Sequence, residues 1–192
     1  MQMFRKRAVA ASLVVAGLVL AHAGAAQAAD GFTLSSPSFK DGEFLALKNA
    51  GNNKANPNCK GENVSPPLAW SNVPAGTRSF AMVMVDPQGR AGQGVDHWIA
   101  YGIPASVTSF AEGEVSKGSD KFVGGKGTAG LGTYTGPCTP PGAPHHYNFT
   151  LIATDLDPKE LPPGLTRDEL LAKLVGHGKD AAGLVGLFRY PQ

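Results

Sequence analysis

Three short segments hold the side chains that could do chemistry. Asp86-Pro87 closes an apolar run, His97-Trp98 opens the next one, and residues 136–147 read Gly-Pro-Cys-Thr-Pro-Pro-Gly-Ala-Pro-His-His-Tyr. Prolines hold φ near about −65° and remove backbone donors. Glycines allow sharp turns and close backbone approach. The third segment therefore reads as a stiff loop that ends by planting imidazoles at the mouth of a strand. If the strands carrying Asp86 and His97 are neighbours, the two side chains meet at one sheet edge. A carboxylate that accepts from one ring nitrogen fixes the tautomer and aims the other nitrogen at a ligand. His145 would add a second donor, Tyr147 a hydroxyl, and the backbone of Gly136 and its neighbours further N–H groups. Two adjacent histidines on an alternating strand cannot both face one pocket, so at least one of His145 and His146 is expected to face away. Several convergent donors around one carboxylate suit a phosphate-like or carboxylate group.

Other chemistries find less support. Ser65, His97 and Asp86 are the residue types of a triad, but nothing in their spacing brings them together. No Gly-x-Ser-x-Gly elbow and no His-Glu-x-x-His pattern occurs. Two cysteines without suitably spaced histidines do not make a zinc site, so no metal is expected. Residues 125–130 match G-x-G-x-x-G but lack a strong preceding strand and a following helix, so no nucleotide cofactor is expected either. Asn148-Phe149-Thr150 fits a glycosylation acceptor but falls inside an expected strand.

The elements that must position these residues are mostly strands. Ser79 to Val85 is a near-continuous apolar run, which suits a central strand buried on both faces. His97 to Ile103 is an apolar and aromatic run stopped by Pro104. Tyr147 to Thr154 sets Tyr, Phe, Leu and Ala against Asn, Thr, Ile and Thr, which fits a strand with one more deeply buried face. Gly31 to Ser35, Glu43 to Leu47 and Leu184 to Tyr190 are further candidate strands. One helix is clear, because Thr166-Arg-Asp-Glu169 forms a capping box, Leu170, Leu171, Leu174 and Val175 give an apolar face, and Gly176 ends it. A second short helix is expected over Lys179 to Ala182.

The chain has 192 residues, a length that favours one domain. Its first part has the pattern of a secretory signal: Arg5, Lys6 and Arg7, an apolar stretch to about Ala21, then Ala26-Gln27-Ala28. Cleavage would remove residues 1–28 and leave 29–192 as a single domain, exported to a periplasm or secreted. Residues 1–28 hold three of the 17 basic and none of the 15 acidic residues, so the mature chain has 14 bases against 15 acids, a net charge of −1. That balance argues against nucleic acid as a partner. No apolar segment of the mature chain approaches the roughly 18 residues of a membrane span. Cys59 and Cys138, an even pair in an oxidising compartment, are expected to form a disulfide.

In order and spacing, Gly61-Glu-Asn-Val-Ser-Pro-Pro-Leu-Ala-Trp70, Asp86-Pro87, His97-Trp98, Gly136 to Pro141 and His145-His146-Tyr147 resemble the phosphatidylethanolamine-binding protein family, in particular its bacterial Raf kinase inhibitor-like branch. The resemblance covers about residues 32 to 190. It implies a mostly-β fold, with two antiparallel sheets packed sandwich-like and a few peripheral helices. It also implies an anion pocket built from Asp86, Pro87, His97, Gly136, Pro137, His145 and Tyr147. In the family that pocket takes phosphate, acetate, cacodylate or a phospholipid head group. The chain departs from the family pattern at Gln88, where a second aspartate is common, in the glycine-rich stretch from Gly89 to Val95, and at Asp96. The expected function is a non-enzymatic binding protein for a small anionic or phosphorylated ligand. The alternatives are an inhibitor or modulator of a protein partner, such as a protease or signalling protein, and a hydrolase or isomerase using Asp86 and His97 as an acid–base pair.

Overall fold

The computed structural model describes residues 31–130 and 132–190. The signal segment and its cleavage site lie outside the described residues.

Two open sheets make the body. The smaller has the order β1-β3-β6, with β1 Thr33–Ser35, β3 Leu68–Ser71 and β6 Ser109–Phe110. The larger has the order β2-β9-β8-β4-β5-β7, formed by β2 Glu43–Phe44, β4 Ser79–Asp86, β5 Val95–Pro104, β7 Val123–Gly124, β8 His145–Thr154 and β9 Gly178–Phe188. Every pairing is antiparallel except β2 with β9.

The apolar run of β4 has the expected cause. Phe80, Met82 and Met84 point into the space between the sheets, where Leu34, Leu68, Trp70 and Phe110 meet them. Ala81 and Val83 point the other way, under Leu165, Leu170 and Leu174. Central strands covered on both faces cannot alternate with polar residues. Aromatic edges tie the inner layer, with Trp70 against both Phe80 and Phe110, and Trp98 against Phe110 and Phe122. Such pairs contribute about 0.5–1.5 kcal/mol each beyond their buried area.

The outer cover is the helix Arg167–Leu174, and its capping box is present in both directions. Leu170 and Leu174 are buried, whereas Val175, just past the helix, is exposed. Gly176 follows with φ 83°, the left-handed turn that ends it. Two expectations need correction. Lys179 to Ala182 is not a helix but the start of β9, which pairs with β8 from Thr154↔Gly178 to His145↔Phe188. A long cross-strand ladder overrides the local sequence there. The strand expected over Glu43 to Leu47 shrinks to Glu43–Phe44, because Leu47–Asn49 winds into a 3-10 turn.

Candidate functional site

Asp86 ends β4, His97 sits near the start of β5, and His145 and Tyr147 open β8, the strand next to β4 on its other side. The order β8-β4-β5 therefore gathers four of the expected residues at one sheet edge. On β8 the odd positions Tyr147, Phe149 and Leu151 are buried, and His145 shares their face. His146 falls on the other face and is exposed.

His97 needs an extra device. Met84 pairs with Trp98, but Val85 pairs with Asp96, so His97 is an additional residue on β5. Simple alternation would put His97 on the face opposite Trp98. The bulge re-aims it, a recurrent role of bulges near functional sites. Its ring packs edge-on against Tyr147, with centroids 5.0 Å apart.

Each imidazole is held through one nitrogen. His145 Nδ1 donates to Asp86 Oδ2 at 2.8 Å. His97 Nδ1 donates to the Thr135 carbonyl at 2.8 Å, while the Thr135 N–H donates to the His97 carbonyl at 3.1 Å. The expected partnership is thereby corrected: Asp86 orients His145, and a backbone carbonyl orients His97. Asp86 Oδ1 also accepts from the N–H groups of Gln88 and Gly89, both at 2.9 Å. The carboxylate is thus bonded at both oxygens although it is buried.

Burial lowers the pKa of His97 from its ordinary value of 6.5, against opposing pulls from the Thr135 carbonyl, Asp86 and Asp96 and with a smaller push from His145. Near neutral pH its ring is uncharged, with the proton on Nδ1 and a bare Nε2. Burial, reinforced by the Asp86 carboxylate, raises the Tyr147 phenol well above its ordinary range. Its hydroxyl stays neutral and shares a 2.6 Å hydrogen bond with Thr139 Oγ1.

Asp86, His97, His145 and Tyr147 line a cavity of about 520 Å³, together with Gln88, Arg90 and Val95 on one side and Asn56, Cys138, Thr139 and Pro140 on the other. Pro87, Gly136 and Pro137 are not among its lining residues. Pro87 is exposed in the turn that Asp86 caps. The Gly136 N–H, expected to be available to a ligand, is already donated to Asn63 Oδ1 at 2.8 Å. A Cβ there would lie 2.1 Å from the Asn49 carbonyl oxygen, so glycine serves backbone packing. The Pro137 carbonyl accepts from Gly51 N–H at 2.8 Å. These residues anchor the loop and leave its next stretch, Cys138 to Pro140, to form the wall. The expected disulfide is present and ties Cys138 to Cys59.

Sequence reasoning left Asn56, Arg90, Val95, Thr139 and Pro140 out of the site. Arg90 carried the one signal that could have been read, as the only charge between Gln88 and Val95. It lies in a tight turn, Gly89–Gly92, where Arg90 (φ 53°, ψ 44°) and Ala91 (φ 57°, ψ 43°) are left-handed. For residues with a Cβ this costs about 1–2 kcal/mol each. Gln88 turns toward β8. Its Oε1 accepts from the His146 N–H at 3.0 Å and its Nε2 bonds His146 Nδ1 at 2.6 Å.

Ser65 is buried away from the cavity, with its Oγ accepting from Val115 N–H at 3.3 Å. The triad types therefore do not converge. Among the described residues no cluster of three His, Cys, Asp or Glu side chains could hold a metal ion, and no helix is long and apolar enough to cross a membrane.

The sequence model of the family described as phosphatidylethanolamine-binding protein matches residues 35–189. A Mycobacterium tuberculosis protein named as the lipoprotein LppC is 37% identical over 164 residues, which span 85% of this chain and 75% of that one. A UPF0098 protein of Methanothermobacter thermautotrophicus is 37% identical over 68% of this chain and 86% of its own. Among solved structures, Escherichia coli YbcL, described as a member of the mammalian PEBP family, superposes with a TM-score of 0.73 at 29% identity, covering 82% of this chain and 98% of its own. The Chlamydia trachomatis homologue CT736 gives a TM-score of 0.70 at 31% identity, over 83% of this chain and 97% of its own.

Proposed function

The chain belongs to the phosphatidylethanolamine-binding protein family, and from that premise we propose that it is an exported, non-enzymatic protein that holds a small anionic or phosphorylated group in the cavity at the end of β8, β4 and β5. One observation carries this reading. Two imidazoles line one cavity, and each spends Nδ1 on an oxygen of the fold. Each ring then has only Nε2 left for a ligand.

The protonation pattern suits a phosphate group. The neutral His97 ring presents an acceptor at Nε2, which fits the P–O–H of a singly protonated phosphate. At lower pH the ring gains a second proton and donates to a phosphate oxygen instead, a stronger charge-assisted bond. Either way the bound state takes up the proton more readily than the empty one. A cavity of about 520 Å³ lies within the range of about 300–1,000 Å³ usual for small-ligand pockets, so the phosphate would enter as part of a larger molecule.

Neither candidate hydroxyl is placed as a nucleophile at the cavity. Thr139 Oγ1 is bonded to Tyr147, and Ser65 lies elsewhere in the core. The disulfide supports export, since such bonds persist in oxidising compartments. So does the lipoprotein name of the mycobacterial relative.

Calorimetric titration with inorganic phosphate tests the reading. Affinity is expected to be higher at about pH 5.5 than at about pH 8. His97→Ala is expected to weaken binding by about tenfold or more at the lower pH. Equal affinity at both pH values, or undiminished binding by His97→Ala, would contradict it.

A further inference from the structure

Arg90 stands at the cavity in an unusual way. It is exposed on a left-handed turn, and among the described lining residues it is the single lysine or arginine. Among the described residues no carboxylate lies within ion-pair distance of it. The carboxylates around the site are engaged elsewhere. Asp86 is bonded to two backbone N–H groups and to His145, and Asp96 is 4.0 Å from the Arg167 guanidinium. The neutral His97 adds no charge. The turn that carries Arg90 holds two non-glycine residues in a disfavoured conformation, and such local strain clusters at ligand sites.

We infer that Arg90 sets the charge of the ligand: the cavity takes a phosphomonoester that bears no ammonium group, in preference to the zwitterionic ethanolamine head. The inference rests on the phosphate reading of the cavity. With the phosphate on the two histidine Nε2 atoms, whatever is esterified to it shares the cavity with the exposed Arg90. A guanidinium there attracts the phosphate and repels an ammonium carried by the ester. Arg90 is exposed, so the effect is screened by salt and should shrink as ionic strength rises.

The experiment compares inorganic phosphate, glycerol 3-phosphate and phosphoethanolamine at low salt, on the full chain and on Arg90→Gln and Arg90→Lys. Glycerol 3-phosphate is expected to bind about three- to tenfold tighter than phosphoethanolamine. Arg90→Gln should bring that ratio close to one, and Arg90→Lys should restore it. A wild-type ratio near one, or a ratio kept by Arg90→Gln, with inorganic phosphate still bound, would overturn the role of Arg90 and leave the phosphate reading intact. Failure of the wild type to bind any of the three would overturn both. On a lipid, dihexanoyl phosphatidic acid presents the monoester, and dihexanoyl phosphatidylglycerol and dihexanoyl phosphatidylethanolamine, both phosphodiesters, compare a head without and with the ammonium. The tighter-binding form, free or acylated, identifies the source, and the Arg90 preference must hold in that form. Its absence there would count against the inference as fully as its absence in the soluble pair.

Discussion

His97 is a buried imidazole kept neutral by the fold, and that has a consequence for stability. Its pKa in the folded protein lies below the ordinary 6.5, with burial as the main cause. The unfolded chain takes up the proton from about pH 6.5 downward, while the folded chain does so only at lower pH. Between those points the unfolded state holds more protons, so folding weakens as pH falls. The stability contributed by the neutral ring is complete above about pH 6.5 and lost as pH drops through the folded value. Urea titrations of the ligand-free protein and of His97→Gln should therefore diverge below that pH, the wild type showing the steeper loss. Parallel curves would mean that the ring is not held neutral. Added phosphate should flatten the wild-type curve, because a bound anion favours the charged ring that the empty cavity disfavours.

The strands and the loop deliver these side chains by different means. Strand order alone brings Asp86, His145 and Tyr147 together, and a bulge adds His97. The loop wall depends on close backbone approach at Gly136, where a Cβ would meet Asn49 O at 2.1 Å and Gly51 N at 2.7 Å. Gly136→Ala should cost about 3 kcal/mol or more, since backbone cannot yield as a side chain does. Gly178→Ala, with open space around the new Cβ, should stay within about 0.5 kcal/mol. Denaturant midpoints check both, and a mild Gly136→Ala would contradict the anchoring role. This scale also separates what could be read in the chain from what could not. The apolar run of β4, the alternation of β8 and the capping box at Thr166 are local patterns, and each carries its own signature in sequence. The bulge at His97 depends on the register between two strands, and the β9 start at Gly178 depends on pairing with Thr154. The choice of His145 over His97 as the partner of Asp86 depends on both. Such long-range pairings leave no mark in a local window, which is why Lys179 to Ala182 reads as a helix and Gly136 as a donor.

At the scale of the whole molecule, one covalent bond links a distant segment to the cavity. Cys59 and Cys138 are 79 residues apart, and Cys138 is itself part of the lining. Closing a loop of that length stabilises the fold by about 4–5 kcal/mol in the chain-entropy model. Cys59→Ser with Cys138→Ser should lose much of that stability. It should also weaken phosphate binding, because Thr139, next to Cys138, steadies Tyr147. Unchanged melting of the double variant would contradict this coupling. The central claim is that β8, β4 and β5 present two fixed imidazoles to one anionic group, and the imidazole proton resonances report on it most directly. On titration with inorganic phosphate, the signals of His97 and His145 should shift together and saturate, while those of His146 and His177, which lie off the cavity lining, stay in place. Pocket histidines that do not move, or four histidines that drift alike without saturating, would contradict the account.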